Sequence, residues 1–246
     1  MKRTALVTGA SRGLGRAIAL ELGAAGMNVV VNYFDGKHGA EELCDQIRGL
    51  GAQALAVKAD VRDSAEIDAL VAQAEQAFGG VDVLVVNATG PQPMLSIEEQ
   101  TWESYLDQLE FFVKSPLLLV KRVLPRMREK NFGRIIQIGS EVFEQGNPRF
   151  ANYVAAKGAQ LGQTRSWARE LAATGITVNL VAPGWILTER HVGTPQAEID
   201  QYLQTLPTKK MGVAADVAKA VAFLASDGAG FVTGQKISVN GANTLA

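Results

Sequence analysis

Apolar residues fall into two alternating patterns along the chain. Short runs of aliphatic and β-branched residues predict strands, at 5–8, 28–32, 54–59, 81–86, 134–138, 176–181 and 236–239. Longer stretches with apolar positions three or four residues apart predict helices, at about 14–25, 39–50, 64–78, 101–130, 152–173 and 215–225. Strands that alternate with such helices favour an α/β fold, in which a parallel sheet is covered on both faces.

The organisation of the chain is continuous. Its 246 residues allow one large domain or two small ones, and no linker, repeat or low-complexity tract divides them. The least regular stretch is 188–213, which is long for a plain connection and is expected to form a lid over a binding site. Ser64 is expected to cap the helix that begins there.

Composition and charge exclude several functions. The chain has 24 Lys and Arg against 25 Asp and Glu, a formal net charge of −1, which argues against a nucleic-acid binder and a polybasic membrane-surface protein. Cys44 is the only cysteine and the two histidines are far apart, so neither a disulfide nor a metal site is expected. No segment approaches the roughly 20 apolar residues of a membrane span, and no signal peptide is recognisable. We therefore expect a soluble, cytoplasmic protein.

Glycine is the compositional outlier, with 25 residues. Three glycines in a G-x-x-x-G-x-G arrangement follow the first predicted strand and open the first predicted helix, where they permit a tight turn and close approach of a pyrophosphate. The alternative is a glycine-rich turn with no ligand. Asp60 and Val61 end the third predicted strand, and the Asp carboxylate is expected to hold an adenine amino group unless it is simply solvated. We predict a dinucleotide cradle formed by Gly9, Ser11, Arg12, Gly13, Leu14 and Gly15.

The end of the second predicted strand bears on the choice of dinucleotide. A carboxylate there would bind a ribose hydroxyl and repel a phosphate, but this chain has Asn32 and Tyr33 at that place. Arg12 lies in the cradle and Lys37 follows the strand shortly, so we predict NADP(H) in preference to NAD(H). Asp35 keeps NAD(H) open, because a carboxylate two residues further on could still reach a ribose.

Tyr153 and Lys157 lie four residues apart on a predicted helix, so their side chains share one face. A neighbouring ammonium favours the phenolate and lowers the pKa of a tyrosine from its usual value of about 10. Such a tyrosine can donate a proton to a carbonyl oxygen or remove one from an alcohol. Ser140, at the end of the fifth predicted strand, is placed to hydrogen-bond the same oxygen. A Tyr-x-x-x-Lys spacing is common by chance, so its meaning depends on the other motifs.

The motifs occur in an order that resembles the short-chain dehydrogenase/reductase family, most closely its 3-oxoacyl-(acyl-carrier-protein) reductase-like branch. The resemblance implies a single-domain, three-layer Rossmann fold over 1–246, with a doubly wound parallel seven-stranded sheet in the order 3-2-1-4-5-6-7. It implies an oxidoreductase that transfers a hydride between nicotinamide and a ketone or secondary alcohol, with acyl thioesters among the candidate substrates. It also implies a homodimer or homotetramer. The resemblance covers nearly the whole chain and is carried by the cradle, Asp60-Val61, Asn87-Ala88, Ser140, Tyr153-x-x-x-Lys157, Pro183-Gly184-x-x-x-Thr188 and the 233–241 segment.

The resemblance assigns roles to individual residues. Ser140, Tyr153 and Lys157 are expected to be catalytic, and the last two also to contact the cofactor. Further cofactor contacts are expected from Asn87, Ala88, Thr89, Pro183, Gly184, Ile186 and Thr188. The substrate pocket is expected to be lined by Gln92, Met94, Glu141, Phe143, Phe150 and Trp185. Thr89 departs from the family pattern, because it stands where the family has a glycine and Gly90 follows one place later.

A second departure lies in the long helix predicted over 101–130. The family has a catalytic Asn there, and this chain has Phe112 or Leu109 at that place, depending on the end from which it is aligned. An insertion near 108–112 is therefore expected. Gln108 and Glu110 are candidates to replace the Asn. The alternative function is a cofactor-binding sensor or partner protein whose turnover is weak or lost.

Overall fold

One parallel sheet organises the computed structural model, which describes residues 2–245. Its order of strands is 3-2-1-4-5-6-7, which confirms the doubly wound Rossmann arrangement in a single domain. The strands are β1 (Thr4–Val7), β2 (Asn28–Tyr33), β3 (Ala54–Lys58), β4 (Val83–Val86), β5 (Gly133–Ile138), β6 (Ile176–Pro183) and β7 (Lys236–Val239).

Helices cover both faces of the sheet. They are α1 (Gly13–Ala24), α2 (Lys37–Gly49), α3 (Ser64–Phe78), α4 (Trp102–Leu109), α5 (Ser115–Glu129), α6 (Val142–Gln145), α7 (Ala151–Leu171), α8 (Gln196–Thr205) and α9 (Ala214–Ala225). A π-helix, Glu110–Lys114, joins α4 to α5 and is called the π-turn below. Across residues 2–245, none of the helices has the length and apolar character that a membrane crossing requires.

The central strands are buried on both faces. Val29 and Val31 of β2 pack in the layer that contains α1, α2 and α9, whereas Val30 between them packs in the layer of α3, α5 and α7. All three side chains are fully buried. This double burial explains why the strands are apolar at nearly every position.

The carboxyl ends of the central strands bring the predicted site residues together. β1 leads into the cradle at Gly9, β4 into Asn87, β5 into Ser140 and β6 into Gly184. Strand order reverses between β1 and β4, which pair directly. Open α/β sheets bind ligands in the crevice outside such a reversal.

The helix predicted over 101–130 is divided by the π-turn. Thr101 caps α4 by accepting a hydrogen bond from the backbone of Ser104. Pro116 is the second residue of α5, directly after the π-turn, and because its nitrogen carries no hydrogen it donates no bond back to the π-turn. A π-turn accommodates one additional residue in a helix, and this one overlaps the position where an insertion is expected.

Two local expectations change. Asp63, and not Ser64, caps α3, because its carboxylate accepts from the backbone N–H groups of Ala65 and Glu66 at 2.8 and 3.0 Å. The segment 188–213 is also more regular than its sequence suggests, since it contains a 3-10 turn followed by α8.

Candidate active site

The cradle depends on glycines that no larger residue could replace. Gly9 has a φ of +61°, a left-handed conformation that favours glycine. A Cβ on Gly15 would lie 2.4 Å from the carbonyl oxygen of Gly9 and 2.6 Å from the side-chain nitrogen of Asn87. Asn87 itself donates to the carbonyl oxygens of Thr8 and Gly9 at 2.8 and 3.2 Å. Asn87, at the end of β4, therefore fixes the turn. The absence of a Cβ at Gly15 allows α1 to pack tightly against it.

Asn32, which was expected to contact the cofactor, braces the cradle from β2. Its side-chain oxygen accepts from the backbone N–H of Gly9 at 3.2 Å, and its nitrogen donates to the carbonyl of Ala59 at 3.0 Å. The side chain is buried, as is that of Tyr33 beside it. Both polar atoms of the Asn32 side chain thus hydrogen-bond within the protein. Asn32 influences the site by fixing the position of Gly9.

The N-terminus of α1 presents a backbone N–H group that donates to an anionic side chain. The backbone N–H of Gly13 donates to a carboxylate oxygen of Glu189 at 3.1 Å, across the crevice from the segment 188–213. Arg12 is exposed at the N-cap beside it, with its side chain making no cap hydrogen bond. A helix N-terminus carries partial positive charge, so this place is suited to a pyrophosphate.

The predicted adenosine end carries both signs of charge. Ser11 donates its hydroxyl to the carbonyl of Asp35. Asp60 forms a two-pronged ion pair with Arg62, with contacts of 3.0 and 2.6 Å, and this arginine lowers the pKa of the carboxyl. Lys58, at the end of β3, lies 5.9 Å from the ring centroid of Phe34. Sequence reasoning missed Lys58, which the pairing of β2 with β3 places beside this end.

Tyr153 is a buried, neutral phenol in this structure. Burial raises the pKa of Tyr153 to about 12, and the opposing effects of a Ser140 hydrogen bond, the Arg190 charge and a Gln92 hydrogen bond are smaller. Lys157, from which a lowering of this pKa is expected, is not among the groups that oppose burial. The phenol of Tyr153 thus remains protonated near neutral pH in the free protein. Arg190 was not foreseen, because it lies in a loop without periodicity; it reaches across the crevice and donates to the carbonyl of Gly90.

Lys157 is enclosed by protein atoms. Its ammonium nitrogen donates to the carbonyl of Ile138 at 2.7 Å and to the side-chain oxygen of Gln160 at 3.1 Å. The same nitrogen lies 3.7 Å from the ring centroid of Phe112 and 5.5 Å from that of Tyr153. Burial lowers the pKa of Lys157 well below its usual value.

Neither Gln108 nor Glu110, the two candidates to replace the family's Asn, hydrogen-bonds this lysine. Gln108 donates to the carbonyl of Pro91 at 3.0 Å, and Glu110 pairs with Lys114 on the outer side of the π-turn. Gln160 was missed, although its position three residues after Lys157 on the buried face of α7 is a signal the sequence offers.

The loop after β6 forms the other wall of the crevice. Ile186 is buried, and the backbone N–H of Thr188 donates to a ring nitrogen of His191 at 3.1 Å. Gly184 packs closely, since a Cβ there would lie 2.7 Å from the hydroxyl of Tyr202. On the β4 side, the Cα of Ala88 would lie 2.9 Å from a Cβ on Gly9.

The predicted substrate-pocket residues divide into three groups. Phe150 and Gln92 adjoin Tyr153, with ring centroids of Phe150 and Tyr153 4.9 Å apart. Trp185 packs edge-on against the ring of Tyr202 at 5.3 Å. Met94 and Phe143 are exposed. Of these residues, Phe150 and Gln92 are the ones that lie beside Tyr153.

Glu141 is the pocket candidate whose orientation differs most from expectation. It is buried, and one carboxylate oxygen accepts from the hydroxyl of Tyr202 at 2.6 Å and from the amide of Asn243 at 3.1 Å. The Tyr202 hydroxyl in turn accepts from the backbone N–H of Trp185 at 2.8 Å. Glu141 thus ties α8 and the C-terminal segment to the loop after β5, and does not face solvent.

Comparison with known proteins identifies the class: the chain belongs to the short-chain dehydrogenase/reductase family and is an oxidoreductase. The matching family model, described as enoyl-(acyl carrier protein) reductase, covers residues 9–243. The chain is 42% identical over 243 residues to the 3-oxoacyl-[acyl-carrier-protein] reductase FabG of Staphylococcus epidermidis, with 98% of each chain covered. It is 41% identical over 241 residues to FabG of Haemophilus influenzae, with 97% of each covered. Identity to FabG of Escherichia coli is also 41%, over 97% of this chain and 96% of that one.

Proposed function

We propose that this oxidoreductase interconverts a ketone and a secondary alcohol with NADP(H), and that 3-oxoacyl thioesters are its substrate class. The observation that carries the proposal is the buried phenol of Tyr153, with Ser140 near enough to lower its pKa and Lys157 5.5 Å from its ring centroid, at the same end of the sheet as the cradle. The names of the relatives support the thioester, since each is a 3-oxoacyl-[acyl-carrier-protein] reductase.

The residues present fit a dinucleotide. At Gly9 and Gly15 of the cradle, a Cβ would lie less than 3 Å from neighbouring atoms, so only glycine leaves the turn its shape. The backbone N–H of Gly13 already donates to a carboxylate, as it would to a phosphate. Gly13 and Arg12 would hold the phosphates, and Lys157 and Asn87 the ribose next to the nicotinamide. NADP(H), when bound, supplies or accepts the hydride. Binding at this edge would direct its reactive end toward Tyr153.

In the proposed reduction, Tyr153 gives its phenolic proton to the carbonyl oxygen while hydride reaches the carbonyl carbon. Ser140 holds that oxygen by a hydrogen bond, and Lys157 stabilises the phenolate that forms. The raised pKa of Tyr153 in the free protein favours the protonated state that a reductase needs. In the reverse direction Tyr153 accepts the proton of the alcohol.

Turnover tests the proposal directly. Wild-type protein should oxidise NADPH in the presence of a 3-oxoacyl thioester, and Tyr153→Phe should lower kcat about a hundred-fold or more, because general acid catalysis contributes at that scale. Tyr105→Phe is the matched control, since Tyr105 hydrogen-bonds Gln100 away from the site. An active Tyr153→Phe variant would contradict the assigned role. Tight NADPH binding with no turnover across ketones and thioesters would favour the sensor.

Arg12 tests the choice of cofactor. Arg12→Ala should weaken NADPH binding about ten-fold or more and NADH binding far less, because only NADPH carries the additional phosphate that a guanidinium binds. The NADPH affinity of Arg12→Lys should fall between those of wild type and Arg12→Ala, since lysine keeps the positive charge but cannot form the paired hydrogen bonds of a guanidinium. Calorimetric titration of each variant with both dinucleotides measures the difference. Equal losses for the two would refute the proposed phosphate contact.

A further inference from the structure

The ammonium group of Lys157 is buried among two neutral oxygen acceptors and an aromatic ring. A buried ammonium is costly unless its N–H groups find acceptors. Here the acceptors are the backbone carbonyl of Ile138 and the side chain of Gln160, and the ring of Phe112 lies against the same nitrogen. Carbonyl oxygens and the face of an aromatic ring both favour the charged form of a lysine.

We propose that Gln160 is a positioning residue that keeps Lys157 charged and oriented toward Tyr153, while Phe112 encloses the lysine on the side of the π-turn. In the ligand-free protein the lysine is then held by Ile138, Gln160 and Phe112. The structural part of this inference stands on contacts alone, and its catalytic part rests on the proposed function.

Gln160 is well placed for this role because it is itself immobile. It is 1% exposed, where an apolar side chain would be the default on the inner face of a helix. Its turn of α7 is fixed by Thr164, whose hydroxyl donates to the backbone carbonyl of Gln160 at 3.0 Å and accepts from the amide of Gln137 at 3.0 Å. The backbone that carries the Gln160 side chain is therefore fixed, and the side-chain oxygen accepts from Lys157.

The π-turn sets the position of Phe112. Glu110 and Lys114 pair with each other on its exposed side, whereas Phe112 is 3% exposed and points inward. The Phe112 ring meets that of Tyr153 edge-on, with centroids 5.4 Å apart. One aromatic ring thus contacts both Lys157 and the phenol it serves.

The electrostatic surroundings leave few groups that could act in place of Gln160. From α7, the titratable group facing Lys157 is Tyr153. From β5 a backbone carbonyl faces it, and from the π-turn the Phe112 ring, with Glu110 engaged elsewhere. For residues 2–245, the lowered pKa of Lys157 has burial as its cause, with no ion pair opposing it. Loss of the Gln160 oxygen should lower that pKa further.

Titration of Lys157 by NMR, in ligand-free protein with isotope-labelled lysine and Lys157→Arg for assignment, tests the structural part. Gln160→Leu should lower the pKa of Lys157 because an acceptor is lost, and Gln160→Glu should raise it because a carboxylate stabilises the ammonium. Gln73→Leu is the matched control, since Gln73 is a helical glutamine of α3 that donates to the carbonyl of Ala69 in its own helix. Identical Lys157 titration in wild type and the Gln160 variants would overturn the inference. If Gln160→Leu does not fold, Gln160→Glu decides.

Kinetics test the catalytic part. With NADPH and a 3-oxoacyl thioester, Gln160→Leu should lower kcat about ten-fold or more, the scale of a hydrogen bond to a charged group. KM for the thioester should change little, and the pH profile of kcat should shift, whereas Gln73→Leu should leave both as in wild type. Wild-type turnover with an unchanged Gln160→Leu profile would overturn the role. If wild type itself reduces no ketone, the proposed function fails and the NMR titration still decides the position of Lys157.

Discussion

At the scale of single residues, the site is defined by close contacts that exclude larger side chains. Gly15 is the clearest case, because the carbonyl of Gly9 and the side chain of Asn87 both occupy the place where a Cβ would lie. Both neighbours are themselves fixed, Gly9 by Asn32 and Asn87 by Thr8. The cradle therefore cannot relax around a larger residue at little cost.

Gly15→Ala should destabilise the protein by about 1–3 kcal/mol, the usual cost of overpacking, and should weaken dinucleotide binding about ten-fold or more. The control is Gly162→Ala in α7, where a Cβ would meet no atom within 4 Å and where alanine favours the helix. Urea unfolding and dinucleotide titration measure the two effects. A Gly15→Ala variant as stable and as tightly binding as Gly162→Ala would show that the cradle is not so confined.

At the scale of elements, a buried carboxylate joins parts of the chain that surround the crevice. Glu141 follows Ser140 and holds Tyr202 of α8 and Asn243 of the C-terminal segment. Burial and the hydrogen bond to Glu141 raise the pKa of Tyr202, so its hydroxyl stays a donor. We infer that this contact holds the segment 188–213 closed over the site.

Tyr202→Phe and Glu141→Gln should each loosen the segment 188–213. We expect KM for the substrate to rise about ten-fold, kcat to change less, and limited proteolysis within the segment to accelerate, because a hydrogen bond to a buried charge is lost or weakened. Glu198→Gln, exposed in the first turn of α8, is the control. Unchanged proteolysis in both Tyr202→Phe and Glu141→Gln would show that other contacts hold the segment 188–213 in place.

At the scale of the whole molecule, the site affects how stability depends on pH. Burial raises the pKa of Tyr153 to about 12 in the folded state, against about 10 in the unfolded chain. The unfolded state therefore releases this proton first, and the contribution of Tyr153 to stability, full below about pH 10, is lost as pH rises toward 12. The lowered pKa of Lys157 acts oppositely, since its penalty is full below that lowered pKa and disappears as pH rises from there to the usual lysine pKa of about 10.4.

Comparison of wild type with Tyr153→Phe isolates the tyrosine contribution, because Lys157 is present in both. The difference in free energy of unfolding should be constant from about pH 8 to about 10. Above that it should shift in favour of Tyr153→Phe by at most about 1.4 kcal/mol per pH unit. Urea unfolding at a series of pH values measures it. A difference that changes below pH 9 would mean that the phenol ionises in the free protein.

The sequence by itself determined the architecture and most of the site's location. Periodicity predicts the seven strands, because burial on both faces imposes apolar runs. The glycine spacing predicts the cradle, and the four-residue spacing of Tyr153 and Lys157 predicts a shared helical face. These features are local in the chain, so neighbouring residues carry the information. The exceptions are also local, as in the cap of α3, where Asp63 competes with Ser64.

Only the tertiary structure decided which partners these residues have. Glu141 meets Asn243 across 102 positions of sequence, and Asn32 meets Gly9 across 23; no spacing rule indicates either contact. The sequence predicts a lowered pKa for Tyr153 from its spacing to Lys157, whereas burial raises it in the free protein. Gln160 and Phe112 surround Lys157 because α7 and the π-turn pack together. They affect the pKa of Lys157 because they surround it where water is excluded. That exclusion arises only when the elements pack together, so no single segment of the sequence predicts it.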